Sequence, residues 1–138
     1  MDKIKVAKRI LAMAQRLVSF PMDVVDIERR QRVFVADKLR TKLNVPGRSR
    51  PVWSKLLVLV DQSDGEDKNR YHYFAVYKTG DGQFAGGNAW GRIGLKYLRT
   101  GGAMMLSRSP DKREVIAACE TKVRKKIAND YEVTSYEF

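Results

Sequence analysis

The chain has 138 residues, 43% of them hydrophobic and 31% charged, enough for one compact domain with a short extra element or for two very small units. Lys and Arg number 27 against 16 Asp and Glu, a formal net charge of +11, and a field of that sign attracts polyanions such as DNA, RNA or an anionic membrane. The longest apolar runs, such as residues 56–60, are far too short to cross a bilayer, and the single cysteine, Cys119, excludes an internal disulfide.

The charge is concentrated at the front. Residues 1–50 hold 13 Lys and Arg against 5 Asp and Glu, whereas residues 51–138 hold 14 against 11. Residues 3–18 read as a helix, with Ile4, Ala7, Leu11, Ala14 and Val18 recurring at spacings of three and four. Asp2 can cap its start. Lys3, Lys5, Lys8, Arg9 and Arg16 interrupt the apolar residues, so no secretory h-region is present there. Pro21 breaks the pattern. Between residues 22 and 44, Val24, Ile27, Phe34, Val35, Leu39 and Leu43 fit a helical face, although 32–35 is also compatible with a short strand. We expect helix. Pro46, Gly47 and Pro51, with Arg48 and Arg50 between them, read as a basic linker. The division expected is a basic, mainly helical region at 1–50 and a second unit at 51–138.

From residue 55 the pattern changes. Residues 55–61 form an apolar run, followed by a polar loop at 62–67. Residues 71–77 alternate aromatic with smaller side chains and read as a second strand. Thr79-Gly80-Asp81-Gly82 is a hairpin turn signal. A third strand is predicted within 83–94 and a fourth at 104–106, with Gly94, Gly101 and Gly102 punctuating the connection. A helix follows, with Ser109 as its expected N-cap and Pro110 at its first position. Val115, Cys119, Val123 and Ile127 make its buried stripe, and Asn129 is placed at the left-handed stop. The tail from Tyr131 reads as a short last strand. The fold class is therefore α+β: a small twisted antiparallel sheet with one packed C-terminal helix, preceded by a basic helical region.

Trp90-Gly91-Arg92 is the stretch with chemistry to offer. A Trp next to a Gly can leave an indole face uncovered, an indole face stacks on a base or sugar, and an Arg pairs with phosphate in bidentate fashion. The competing reading is a core Trp and a solvated Arg. The order around the triplet favours the first. A strand, an aromatic strand, then Asn88-Ala89-Trp90-Gly91-Arg92-Ile93-Gly94, a glycine-bearing connection, a strand and a helix ending near Asn129-Asp130-Tyr131 occur in that sequence. Over residues 53–131 this resembles the WGR domain, found in DNA-dependent poly(ADP-ribose) polymerases and in assorted bacterial proteins. The 80–87 loop is longer and richer in glycine than the family pattern. Asn129-Asp130-Tyr131 stands where many members have a Gly-Tyr pair.

The resemblance implies a twisted antiparallel sheet carrying one helix. It also implies that Trp90 packs on a sugar at a DNA end or break, that Arg92 makes a phosphate or interdomain contact, and that Gly91 permits close approach. Only the resemblance favours DNA with ends, nicks or single-stranded segments over RNA. The remaining residues leave no room for a polymerase catalytic region, so the module is expected to work here without one. Residues 1–50 are left unexplained by it.

Other cations can extend the surface. Lys96, Arg99 and Arg108 follow the triplet. Lys122, Lys125 and Lys126 crowd the end of the last helix, where they either balance its dipole or touch phosphates. Arg29, Arg30 and Arg32 form a further cluster that reads equally well as a solvated face. Catalysis has little support: His72 lies in a strand beside tyrosines and reads as structural, and Cys119 lies on an apolar stripe as a small core residue. Neither metal-ligand spacing nor a phosphate-cradling glycine loop occurs. We therefore expect no catalytic residues, no cofactor, no metal and no membrane. The expected activity is nucleic-acid binding in the cytoplasm, with a protein–protein adaptor or assembly role, of phage or bacterial origin, as the alternative.

Overall fold

In a computed structural model, residues 27, 29–60 and 69–134 are described. The expected helix at 3–18, the polar loop at 62–67 and the end of the tail lie outside the described residues. In chain order the elements are helix α1 (Arg29–Lys42), strands β1 (Trp53–Leu59), β2 (Arg70–Lys78) and β3 (Phe84–Arg92), a 3-10 turn (Leu95–Tyr97), strand β4 (Gly102–Ser109), helix α2 (Lys112–Ala128) and strand β5 (Glu132–Thr134). The strands form one antiparallel sheet in the order β4-β3-β2-β1-β5, which makes the chain α+β.

The alternation along β2 divides the core between the two faces of this sheet. Tyr71, Tyr73, Ala75 and Tyr77 point to one side, where Val35 and Leu39 of α1, and Leu43 just after it, pack on them together with Leu56, Val58, Ala85 and Ala89. Phe74 and Val76 point to the other, against Val115, Cys119 and Val123 of α2, with Leu57 and Tyr131. β1 is apolar on successive residues because Leu56 and Leu57 serve opposite faces. Two helices therefore sandwich the sheet. α1 is a packed layer of the fold, and residues 32–35 are helical rather than extended.

Element bounds differ from the sequence reading where tertiary pairing intervenes. β4 runs from Gly102 to Ser109 instead of 104–106, because its whole length pairs with β3 across a bulge at Gly86/Gly87. Ser109 pairs with Phe84 and so is held in the strand. The N-cap falls to Asp111, whose carboxylate accepts the Arg113 N–H at 3.0 Å, and Pro110 precedes the helix. Ser109 supports the cap from outside: its Oγ accepts the Asp111 N–H and donates to the Glu114 carboxylate. At the other end Asp130, with φ 74°, takes the left-handed position, while Asn129 has φ −100°. Ile127 is 44% exposed, so the buried stripe of α2 ends at Val123. The last strand forms as expected, pairing with β1 through Leu57 and Val133.

Candidate nucleic-acid interface

Three strands bring His72, Trp90 and Gly102 into one row, through the pairs His72–Trp90 and Trp90–Gly102. Cross-strand neighbours on one face are in side-chain contact. The His72 and Trp90 rings stack with centroids 6.3 Å apart, and Tyr131 meets His72 edge-on at 5.1 Å. A cleft of about 320 Å³ opens over the row, and among the described residues no helix residue lines it. Arg70, His72, Trp90, Arg92, Thr100, Gly101 and Tyr131 are among its lining residues.

The glycines act in an arrangement the sequence reading did not foresee. A Cβ on Gly102 would stand 2.6 Å from Cζ2 of Trp90, so it is Gly102, across the strand, that admits the indole. Gly91 faces the opposite side of the sheet, where a Cβ would meet the Tyr71 hydroxyl at 3.0 Å. Its missing side chain makes room for Tyr71.

Positive charge gathers on the same flank. The Arg92 guanidinium lies over the Tyr97 ring at 5.2 Å and donates to its hydroxyl at 3.5 Å. Lys96 Nζ lies over the same ring at 5.0 Å, so the 3-10 turn holds two cations with one tyrosine. Lys126 sits over Tyr131 at 5.9 Å. Of the residues singled out from sequence, Trp90, Gly91 and Arg92 line the cleft. Lys96 and Lys126 flank it, and Arg99 is exposed in the connection next to Thr100. Arg108 stands apart: it pairs with Ala85 at the far end of β3 and binds the Asp81 carboxylate at 2.9 Å and Gln83 Oε1 at 3.1 Å. Lys122 and Lys125 are exposed on α2 and do not line the cleft. Arg70, His72, Tyr131 and Tyr97 were missed as site residues. Only the strand register and the return of the chain after α2 bring them to Trp90.

His72 is held neutral. Burial, and then the nearby Lys126 charge, push its pKa down from 6.5 to about 4, and Nδ1 accepts a hydrogen bond from the Asn88 amide at 2.9 Å. The unfolded chain would take up this proton first on acidification. The stability that depends on the neutral ring is therefore whole above pH 6.5 and is lost as pH falls from there toward 4. Tm should drop between pH 6.5 and 5 when followed by circular dichroism, and the drop should shrink in His72→Gln. Equal drops in both proteins would remove His72 as the cause.

Cys119 is fully buried, and burial pushes its thiol up to about 12. It should react with a thiol reagent only as fast as the chain unfolds. A rapid reaction in the native state would contradict this placement. Among the described residues no group of three or more His, Cys, Asp or Glu could hold a metal ion, and no helix is long and apolar enough to cross a membrane.

Residues 54–137, well over half of the chain, match the family model of the WGR domain. No curated protein and no solved structure matches the chain.

Proposed function

We propose, from the premise that the chain belongs to the WGR domain family, that it is a non-enzymatic nucleic-acid-binding protein that grips DNA at ends, nicks or single-stranded segments. The observation that carries this reading is the cleft where a partly covered indole and two arginines line one concave surface, with Lys126 at its flank over Tyr131. Stacking on an aromatic needs no particular base, and arginine or lysine contacts need only phosphate, so the combination suits broken or single-stranded nucleic acid of any sequence. A base or sugar face is available for stacking only where the duplex is interrupted. That is why ends and nicks are preferred over intact duplex. DNA is placed ahead of RNA on family grounds. A non-enzymatic role fits a buried, protonated Cys119 and a neutral His72 already bonded to Asn88. The lone buried cysteine fits a reducing compartment such as the cytoplasm.

Titration of labelled intact, nicked, ended and single-stranded DNA, with RNA as control, tests the reading. Tightest binding to the interrupted DNAs is expected. Equal weak binding to all would reduce the claim to nonspecific attraction. Salt provides a second check. If Arg70, Arg92, Lys96, Arg99 and Lys126 each neutralise one phosphate, log K should fall against log salt with a slope of about −4. A flat dependence would remove phosphate contact altogether.

A second reading, an adaptor that docks another protein, draws on the outer face of α1. Val33 and Phe34 are 52% and 38% exposed there, and with Arg29, Arg30 and Leu98 they line a groove of about 480 Å³. Size-exclusion chromatography in parallel with the binding assay separates the two. A protein assembly without nucleic-acid binding would favour the adaptor.

A further inference from the structure

α1 precedes the residues that match the family model, yet it is bonded to both ends of the connection between β3 and β4. At the first end, Gln31 is 1% exposed. Its side-chain Nε2 donates to the Arg92 carbonyl at 2.8 Å, and its Oε1 accepts the Gly94 N–H at 2.9 Å. Strand geometry explains why these two groups need a partner. Backbone groups of successive strand residues face opposite edges, and the Ile93 N–H faces β2, where it bonds to the Asn69 carbonyl at 2.9 Å. Arg92 and Gly94 therefore face the β4 edge. β4 pairs with β3 only as far as Gly102 opposite Trp90, so beyond Trp90 that edge has no strand among the described residues. The amide of Gln31 takes the place of the missing peptide. Seven residues on, and on the same side of α1, Lys38 donates to the Gly101 carbonyl at 3.3 Å.

We propose that α1 is a positioning element of the interface, in which Gln31 completes the unpaired edge of β3 and so fixes where the Trp90 indole and the Arg92 guanidinium present themselves. Gln31 touches no ligand in this proposal. It acts through the backbone of residues 92–94 and through the connection that carries Tyr97, Lys96 and Arg99. Its effect on binding rests on the nucleic-acid reading above, and its effect on the backbone does not.

Two variants and two readouts separate these parts. Gln31→Met keeps the side-chain length and removes both hydrogen bonds. Gln31→Glu keeps the acceptor for the Gly94 N–H but cannot donate to the Arg92 carbonyl when ionised, and it supplies a second protein should the first fail to fold. By amide hydrogen exchange, the Gly94 N–H should exchange about 10-fold faster in Gln31→Met and remain near the native rate in Gln31→Glu, while central amides of β2 stay unchanged. Affinity for nicked DNA should fall about 3- to 10-fold in Gln31→Met, with a smaller loss on intact duplex. In a Trp90→Ala background the same substitution should cost less than in the native chain, leaving only the share carried by Arg92. Unchanged exchange at Gly94, or exchange raised equally throughout the sheet, would overturn the positioning role. Equal weakening on nicked and intact DNA, or losses that add in full to those of Trp90→Ala, would overturn its link to Trp90. A native chain that binds no probe would defeat the nucleic-acid reading alone, with exchange at Gly94 still deciding whether Gln31 holds the strand edge.

Discussion

Replacing Trp90 with Ala should weaken binding to nicked or ended DNA by about 1–3 kcal/mol, roughly 5- to 150-fold, with a clearly smaller loss on intact duplex. The size follows from what the indole does in the row His72–Trp90–Gly102. His72 stacks on it and Gly102 leaves it room, so its position is set by the sheet before any ligand arrives. A pre-set stacking surface spends little conformational entropy on binding. Intact duplex has its bases paired and stacked and gains nothing from the indole. It is held through Arg70, Arg92 and Lys126, which the substitution leaves in place. Gly102→Ala should give an intermediate loss, because a Cβ 2.6 Å from Cζ2 displaces the ring without removing it. Both variants need a thermal melt beside the titration, since Trp90 also packs inside the sheet. Equal small losses on nicked and intact DNA would take the stacking role away from Trp90.

Leu39→Ala should lower the stability of the whole chain by about 2–5 kcal/mol, as judged by urea unfolding. Leu39 is fully buried in α1, within the cluster that holds Tyr73, Tyr77 and Ala85. Shortening it to Ala opens a cavity against β-strand side chains on which the rest of the core depends. One unfolding transition carrying the full loss is expected, since α1 and the sheet share that cluster. A separate early transition for α1, with the sheet unaffected, would show that the helix is an appendage. The experiment matters for the site as well. α1 reaches the interface through Gln31 and Lys38, so a loosened α1 should also blunt the preference for interrupted DNA.

The strands and the last helix were readable because local patterns specify them. The alternation from Tyr71 to Tyr77 can satisfy two apolar faces only as a strand, and the stripe Val115–Cys119–Val123 has the spacing of one helical face. The N-cap, Asp111, lies two residues past Ser109 for a physical reason. Ser109 and Pro110 have the chemistry of a helix start, but Ser109 is already engaged in the β3–β4 ladder. Ile127 has the spacing of the stripe, but it is 44% exposed, one turn beyond Val123, the last buried position of α2. Periodicity describes a helix and does not say where its partner surface stops.

The site divides in the same way. Trp90-Gly91-Arg92 was marked by residue type and by the order of the elements around it, and it does line the cleft. The assignment of Gly91 to close approach did not anticipate Tyr71, because the sequence carries no sign of which cross-strand neighbour each glycine faces. Arg108 follows the triplet in the chain but lies at the far end of β3, bound to Asp81, because an antiparallel return carries β4 away from Trp90.

The α+β class, the family, the excess of positive charge and the triplet at the centre of the proposed site are all legible in the chain alone. These are properties of composition and of short-range order, which survive without knowledge of contacts. That α1 forms a layer of the core, that Gln31 closes the edge of β3, and that His72, Arg70 and Tyr131 join Trp90 is visible only in the folded chain. Each of these depends on strand register or on helix docking across long stretches of chain (Gln31 and Gly94 lie 63 residues apart). A glutamine in a basic helix resembles any solvated polar residue until the unpaired strand edge it satisfies has been built.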